Sequence, residues 1–262
     1  MKSTTKTSRT PAPAVRGRKT LGAIAGALAL LCAAPAFADP ITFETIAPIG
    51  YAAGETVTEN GFDILMVDGP YGGANGVVMD DGTCAVAACP AGATGQYLGI
   101  LNDGAVRFSL TDTARWGFKL GGFDFAFIAP VGDLPNGNYG RLQLSGTVAG
   151  GGTLSTSLAF PGQNALGQFR FSGASLDDVF RSVLFTSLTV NACIFDDNLV
   201  CSNSVDSPAF YQAQFALDNV DLSAVPEPAS FLLLGLGMGA LALGRRRAAK
   251  STPSNNLQVQ GI

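Results

Sequence analysis

Five turn dipeptides cut the middle of this chain into short lengths, and that punctuation constrains the fold more than any other feature. They are Asn60-Gly61, Asn75-Gly76, Asp81-Gly82, Asp103-Gly104 and Asn136-Gly137. Each pairs a residue that tolerates a left-handed backbone with a glycine, the chemistry of tight turns. Between them, apolar side chains recur at every second position. Phe123, Phe125 and Phe127 alternate with Asp124 and Ala126; Arg141-Leu142-Gln143-Leu144 and Thr153-Leu154-Ser155-Thr156 alternate in the same way. A period of two marks strands with one buried face. Val183-Leu184-Phe185-Thr186 and Phe215-Ala216-Leu217 add β-prone stretches. The best helical reading, Ser175 to Phe180, is a turn or two long. With 33 glycines and only 14% charged residues, the composition suits strands and turns. Residues 39–225, about 187 residues without an obvious linker, are therefore expected to be all-β, a single β-sandwich of jelly-roll type. That length is enough to bury a sizeable core.

Charge is distributed unevenly. Six of the 16 Lys and Arg precede residue 39 and four follow residue 244, leaving six in the middle against 19 carboxylates, a net of −13. A surface that acidic repels phosphate backbones, so nucleic acid is excluded as a partner. The chain has no histidine. Ser-His-Asp triads and His-ligated metal sites are therefore excluded, and an enzyme would have to work with carboxylates, Lys, Tyr or Ser.

The two ends read as addresses. Lys2, Lys6, Arg9, Arg16, Arg18 and Lys19 precede an apolar run from Leu21 to Ala34, followed by Ala36-Phe37-Ala38. These are the three parts of a secretory signal peptide, 1–38, with cleavage expected after Ala38 and small residues at Ala36 and Ala38. Leu31 before Cys32 is too bulky for a lipobox. At the other end, Pro226-Glu227-Pro228 precedes an apolar stretch, 229–244, and then Arg245-Arg246-Arg247. As a helix the stretch spans roughly 24 Å, short of a ~30 Å hydrocarbon core, and flanking arginines can snorkel across the difference. The three arginines hold that end in the cytoplasm and place residues 39–228 outside. Residues 248–262 are polar and expected to be disordered.

This proline-rich stop, apolar helix and basic cluster, residues 226–247, resembles the PEP-CTERM sorting signal of exported Gram-negative proteins. The resemblance implies an integral-membrane sorting protease, exosortase, as partner, with Pro226, Glu227 and Pro228 as the recognised motif. It implies anchoring in the membrane before processing, then a place in the cell envelope, at the cell surface or outside it.

Four cysteines remain after signal removal. Cys84 and Cys89 share one loop and Cys193 and Cys201 another, so local pairing within each loop is expected in an oxidising compartment. The competing reading, one zinc site from all four thiolates, lacks CxxC spacing.

The start, Ile41-Thr42-Phe43-Glu44, and the end, Phe215-Ala216-Leu217-Asp218-Asn219-Val220, resemble the first and last strands of carbohydrate-binding jelly rolls. In that family the two strands lie together and their acids hold a structural calcium ion; Glu44 and Asp218 are the matching positions. Two side chains alone do not supply the six to eight oxygens that calcium takes. The alternative role for both is to accept backbone N–H bonds at strand ends. No other cofactor is expected.

Three functions compete. The first is a non-catalytic envelope or matrix protein. The second is a carbohydrate-binding module of the exopolysaccharide matrix, which requires exposed aromatics on a sheet face. Tyr71, Tyr97, Tyr139 and the single tryptophan, Trp116, are the aromatic candidates, with Trp116 expected in the core. The third is a carboxylate-only glycan hydrolase, which needs two acids about 5 to 10 Å apart across a cleft. No spacing selects such a pair, and the chain is expected not to be an enzyme.

Overall fold

The computed structural model describes residues 39–69, 74–86, 88–196, 198–202 and 213–225, together with Gly235 and Gly237. The expected signal peptide, 1–38, with its expected cleavage site, Pro226-Glu227-Pro228 and Arg245-Arg246-Arg247 lie outside the described residues. Among the described residues no helix is long and apolar enough to cross a membrane.

Thirteen strands follow in order: β1 (Gly50–Ala52), β2 (Thr56–Glu59), β3 (Phe62–Val67), β4 (Ala74–Met79), β5 (Tyr97–Ile100), β6 (Ala105–Leu110), β7 (Gly117–Phe127), β8 (Gly140–Val148), β9 (Thr153–Ala159), β10 (Ser172–Gly173), β11 (Phe185–Phe195), β12 (Cys201–Ser202) and β13 (Phe215–Val225). One short helix, α1 (Asp178–Ser182), precedes β11, capped by the Asp177 carboxylate, which accepts from Phe180 N at 2.6 Å.

The pairings between strands are antiparallel and resolve into two layers of a sandwich. The first layer runs β2-β3-β6-β11-β8-β9. The second runs β1-β4-β5-β13-β7-β10. The layers join at one corner, where Phe185 of β11 pairs with Phe118 of β7. Strands distant in sequence lie side by side, so the chain crosses repeatedly between layers, as in jelly rolls.

The alternation seen in the sequence buries one face of each layer. Phe62, Ile64 and Met66 of β3, Leu142 and Leu144 of β8, and Leu188 and Val190 of β11 face inward from the first layer. They meet Phe118, Leu120, Phe123, Phe125 and Phe127 of β7 and Leu222 of β13. At the corner, the Phe62 and Phe118 rings meet edge to face, centroids 5.4 Å apart. The second layer is also covered on its outer side at one end. There Met79, Tyr97, Ala126, Ile128 and Ala216 form a smaller core beneath Val86, Ala93 and Phe171. The Cys84–Cys89 disulfide, Cα atoms 6.1 Å apart, closes the loop that makes this cover. Cys193 and Cys201 are bonded across the β11–β12 hairpin, Cα atoms 5.4 Å apart. Both pairings are the local ones.

Two turn dipeptides behave differently. Asn60 and Gly61 do turn between β2 and β3, both at positive φ (49° and 83°). Asn75 and Gly76 instead sit inside β4. Asn75 is fully buried and its Nδ2 donates to Val67 O at 3.0 Å, tying β4 to the end of β3. A tertiary hydrogen bond thus overrides a local turn preference.

Candidate functional site

Because β7, β13 and β5 are covered at one end of the second layer, the open surface lies on the outer side of the first. The register aligns small polar side chains there in rows across the strands. Thr153, Thr147, Ser187, Ser109 and Asp63 form one row. Ser155, Ser145, Thr189 and Arg107 form the next. Neighbours within rows are linked: Ser187 Oγ donates to Thr147 Oγ1, Ser155 Oγ to Ser145 Oγ and Asn191 Nδ2 to Gln143 Oε1, each at 3.1 Å. The strands of this layer contribute two carboxylates, Glu59 and Asp63, and Glu59 is turned inward and buried. In a domain of net charge −13, this face is close to neutral.

At the Asp63 end the face deepens into a groove of about 400 Å³, lined by Asp63, Ser109, Thr111, Asp112, Arg115 and Trp116 among others. Asp63 Oδ1 accepts from Thr58 Oγ1 at 3.0 Å and Thr111 Oγ1 at 3.1 Å. Asp112 organises the β6–β7 loop by accepting from Ala114 N at 3.0 Å and facing Arg115 Nε at 3.5 Å. Gly117 closes the loop: a Cβ there would lie 2.6 Å from Phe185 O, so only glycine permits this approach. Trp116, the residue before it, stands on the rim, 49% exposed. This corrects the expectation that the lone tryptophan is core. The sequence signal for it was its setting, Thr111 to Gly117, with only one large apolar side chain among polar loop residues.

Of the other aromatic candidates, Tyr97 is buried and Tyr139 half-buried. Tyr97 is fully buried, and burial, with Asp81 and Asp80 nearby, raises its phenol well above the usual range. The Tyr139 ring stacks on Phe127 and its hydroxyl donates to Pro135 O at 2.6 Å. Tyr71 lies outside the described residues.

Glu44 and Asp218 come to one corner, as the terminal segments pair through Ile41 and Val220. The loop Thr94–Gln96 spans both: Gln96 N donates to Glu44 Oε1 at 2.8 Å, and Thr94 Oγ1 to Asp218 Oδ2 at 3.4 Å. Asp218 is buried; desolvation raises its pKa, backbone N–H groups of Asn219 and Thr94 lower it, and nearby Asp124 raises it again. Asn219 Nδ2 donates to Asp124 Oδ2 at 2.9 Å. Gly95 sits at φ 128°, and a side chain there would collide with Glu44. Among the described residues no three His, Cys, Asp or Glu side chains converge as a metal site.

Residues 224–248 match the PEP-CTERM protein-sorting motif. The motif marks an exported protein anchored in the membrane before processing by exosortase. No curated protein matches the chain. Among solved structures, the chain is similar to TmCBM61 in complex with β-1,4-galactotriose, at 10% identity and a TM-score of 0.34, covering 73% of this chain and 99% of that one. It is similar to CBM28, a carbohydrate-binding module specific for non-crystalline cellulose, at 14% identity and a TM-score of 0.29, covering 72% and 99%. It is also similar to a family 11 carbohydrate-binding module from Clostridium thermocellum, in complex with a β-1,3-1,4-mixed-linked tetrasaccharide, at 14% identity and a TM-score of 0.27, covering 70% and 100%.

Proposed function

We propose that this exported chain is a non-catalytic matrix protein whose sandwich holds exopolysaccharide against the outer face of its first layer. The observation that carries the reading is Trp116 on the rim of a groove floored by Asp63, Ser109 and Thr111. A pyranose has an apolar C–H face and a belt of hydroxyls. The indole accepts the first; Asp63 and the hydroxyl row accept and donate to the second, with Arg115 at the rim as a further donor. A few placed polar groups beside one aromatic platform fix a sugar's orientation without reacting with it.

The chain has one tryptophan, so its intrinsic fluorescence reports this groove alone. Titration with exopolysaccharide from the native host is expected to shift Trp116 emission to the blue and to release no reducing ends. Trp116→Ala is expected to weaken retention in an exopolysaccharide affinity gel by tenfold or more, about 1.4 kcal/mol, with thermal stability unchanged because the side chain is half exposed. Retention of the variant equal to the parent would sink the reading and leave a structural matrix protein.

Calcium at the Glu44–Asp218 corner belongs to the same proposal. Glu44 and the buried Asp218 beside Asp124 supply the oxygens that support it. A cation there would tie the first segment to the last strand. Millimolar calcium is expected to raise the melting temperature relative to EDTA, and Asp218→Asn to remove the difference. Identical melting in calcium and EDTA assigns the corner to hydrogen bonding alone.

A further inference from the structure

Sheet edges are where a sandwich is exposed to other chains, and among the described residues three of the four ends of the two layers are protected. β1 has three residues and an irregular register at Tyr51/Ala52, and β10 has two residues. β2 has four residues, follows directly on the exposed Glu55 and has three exposed or half-exposed positions. Short length, charge and bulges are the usual defences of an edge. The fourth edge has none of them. β9 runs seven residues, Thr-Leu-Ser-Thr-Ser-Leu-Ala, without a charge, a proline or a register shift. Among the described residues it pairs only with β8.

The free side of β9 can be assigned from its hydrogen bonds. Phe160 N donates to Gly140 O and Val148 N to Gly152 O, so even-numbered residues of this segment bond toward β8. Antiparallel alternation then turns the N–H and C=O groups of Thr153, Ser155, Ser157 and Ala159 outward. The side chains alternate too. Ser155 and Ser157 belong to the outer polar face, whereas Leu154 and Leu158 are half-buried against the main core at its open margin.

The strand is also its own mirror in sequence: Leu154-Ser155-Thr156-Ser157-Leu158 reads the same in both directions. Laid antiparallel on a second copy with Thr156 at the two-fold axis, Ser155 faces Ser157, Thr153 faces Ala159 and Leu154 faces Leu158. The facing pairs Ser155–Ser157 and Thr153–Ala159 are those whose backbone groups point outward, so hydrogen bonding and side-chain matching agree on one register. Leucine meets leucine on the core side and serine meets serine on the outer side. An isologous contact needs this self-complementarity. Over the rest of the domain, a net charge of −13 opposes self-association.

We propose that β9 is a homodimerisation edge, through which two copies join their first layers into one continuous antiparallel sheet. The inference is independent of the glycan reading. Where both hold, the groove of about 440 Å³ at Gln143, Ser145, Ser157 and Asn191 would lie beside its copy across the seam, and one dimer would present two outer faces side by side.

The test uses the full chain in detergent. Sedimentation is expected to show a concentration-dependent dimer. Ser155→Lys with Ser157→Lys, both exposed, sets lysine opposite lysine in the proposed register and is expected to raise the dimer dissociation constant more than tenfold. Thr156→Cys is expected to form a disulfide-linked dimer on mild oxidation, because a non-hydrogen-bonded pair brings Cα atoms to about 4.5 Å. Thr147→Cys, one strand in, is expected to stay monomeric. A monomer at every concentration overturns the proposal, as does a dimer that survives the lysine pair, which assigns association to another surface such as the tail. Equal cross-linking at positions 147 and 156 overturns it as well.

Discussion

Asp103 and Asp218 set the pH response of the domain. Both are buried, and desolvation raises both carboxyl pKa values above the ordinary range against the pull of backbone N–H groups from Ala213 and from Asn219 and Thr94. A carboxyl whose folded pKa lies above its unfolded value binds its proton more tightly in the native state. Its stabilisation is complete below the unfolded value of about 3.9 and is lost as pH rises through the raised folded value. In calcium-free buffer, thermal stability is therefore expected to rise as pH falls from 7 towards that window, and Asp103→Asn is expected to flatten the rise. A Tm in the parent that falls over the same interval would contradict this assignment. Asp218 was legible only through its family resemblance, and Asp103 was not singled out among 19 carboxylates, because its burial comes from segments far apart: its partner is Ala213.

At the scale of elements, loops do work that strands do not. The second layer is covered on its outer face by the segment that the Cys84–Cys89 disulfide closes, so this bond stabilises a core as well as a loop. Constraining so short a loop in the unfolded chain contributes about 2 kcal/mol. Cys84→Ser with Cys89→Ser is expected to lower unfolding free energy by about that amount, and to expose Tyr97 to solvent as read by near-ultraviolet absorbance. The same double change at Cys193 and Cys201 clamps only a hairpin, and is expected to leave the Tyr97 signal unchanged. The β6–β7 loop is likewise shaped by tertiary contact. Gly117 presses against the Phe185 carbonyl, and Trp116 beside it lies outside the core.

At the scale of the whole molecule, the sandwich is cargo and the tail is its address. The sorting motif at residues 224–248 begins inside β13, so the last strand of the fold runs directly into the segment that the sorting machinery handles. Intact mass of the protein from its native host is expected to match a chain beginning at Asp39 and ending within Pro226–Pro228. Cleavage there leaves β13 whole, because the strand ends at Val225. A mass that runs through Ile262, with the protein in the membrane pellet, would instead identify a permanent anchor.

By itself the sequence determined the strand class, the sandwich, the inward phenylalanines of β7, the local disulfides and the sorting tail. Each depends on neighbours in the chain: a period of two, short spacing between cysteines, or a contiguous motif. The tertiary structure decided which side of each layer stays open, and therefore where a ligand can reach. Asn75-Gly76 became strand because Val67 offered a buried acceptor. Trp116 stands on the rim of a groove that β3, β6 and the β6–β7 loop build together. The palindrome of β9 was visible in the letters, but it acquired meaning only when the topology placed that strand at an edge. Local periodicity reports which residues turn inward within a strand; which strands become neighbours, and which are left without one, depends on contacts between segments far apart in the chain, such as β7 with β13 and Asp103 with Ala213.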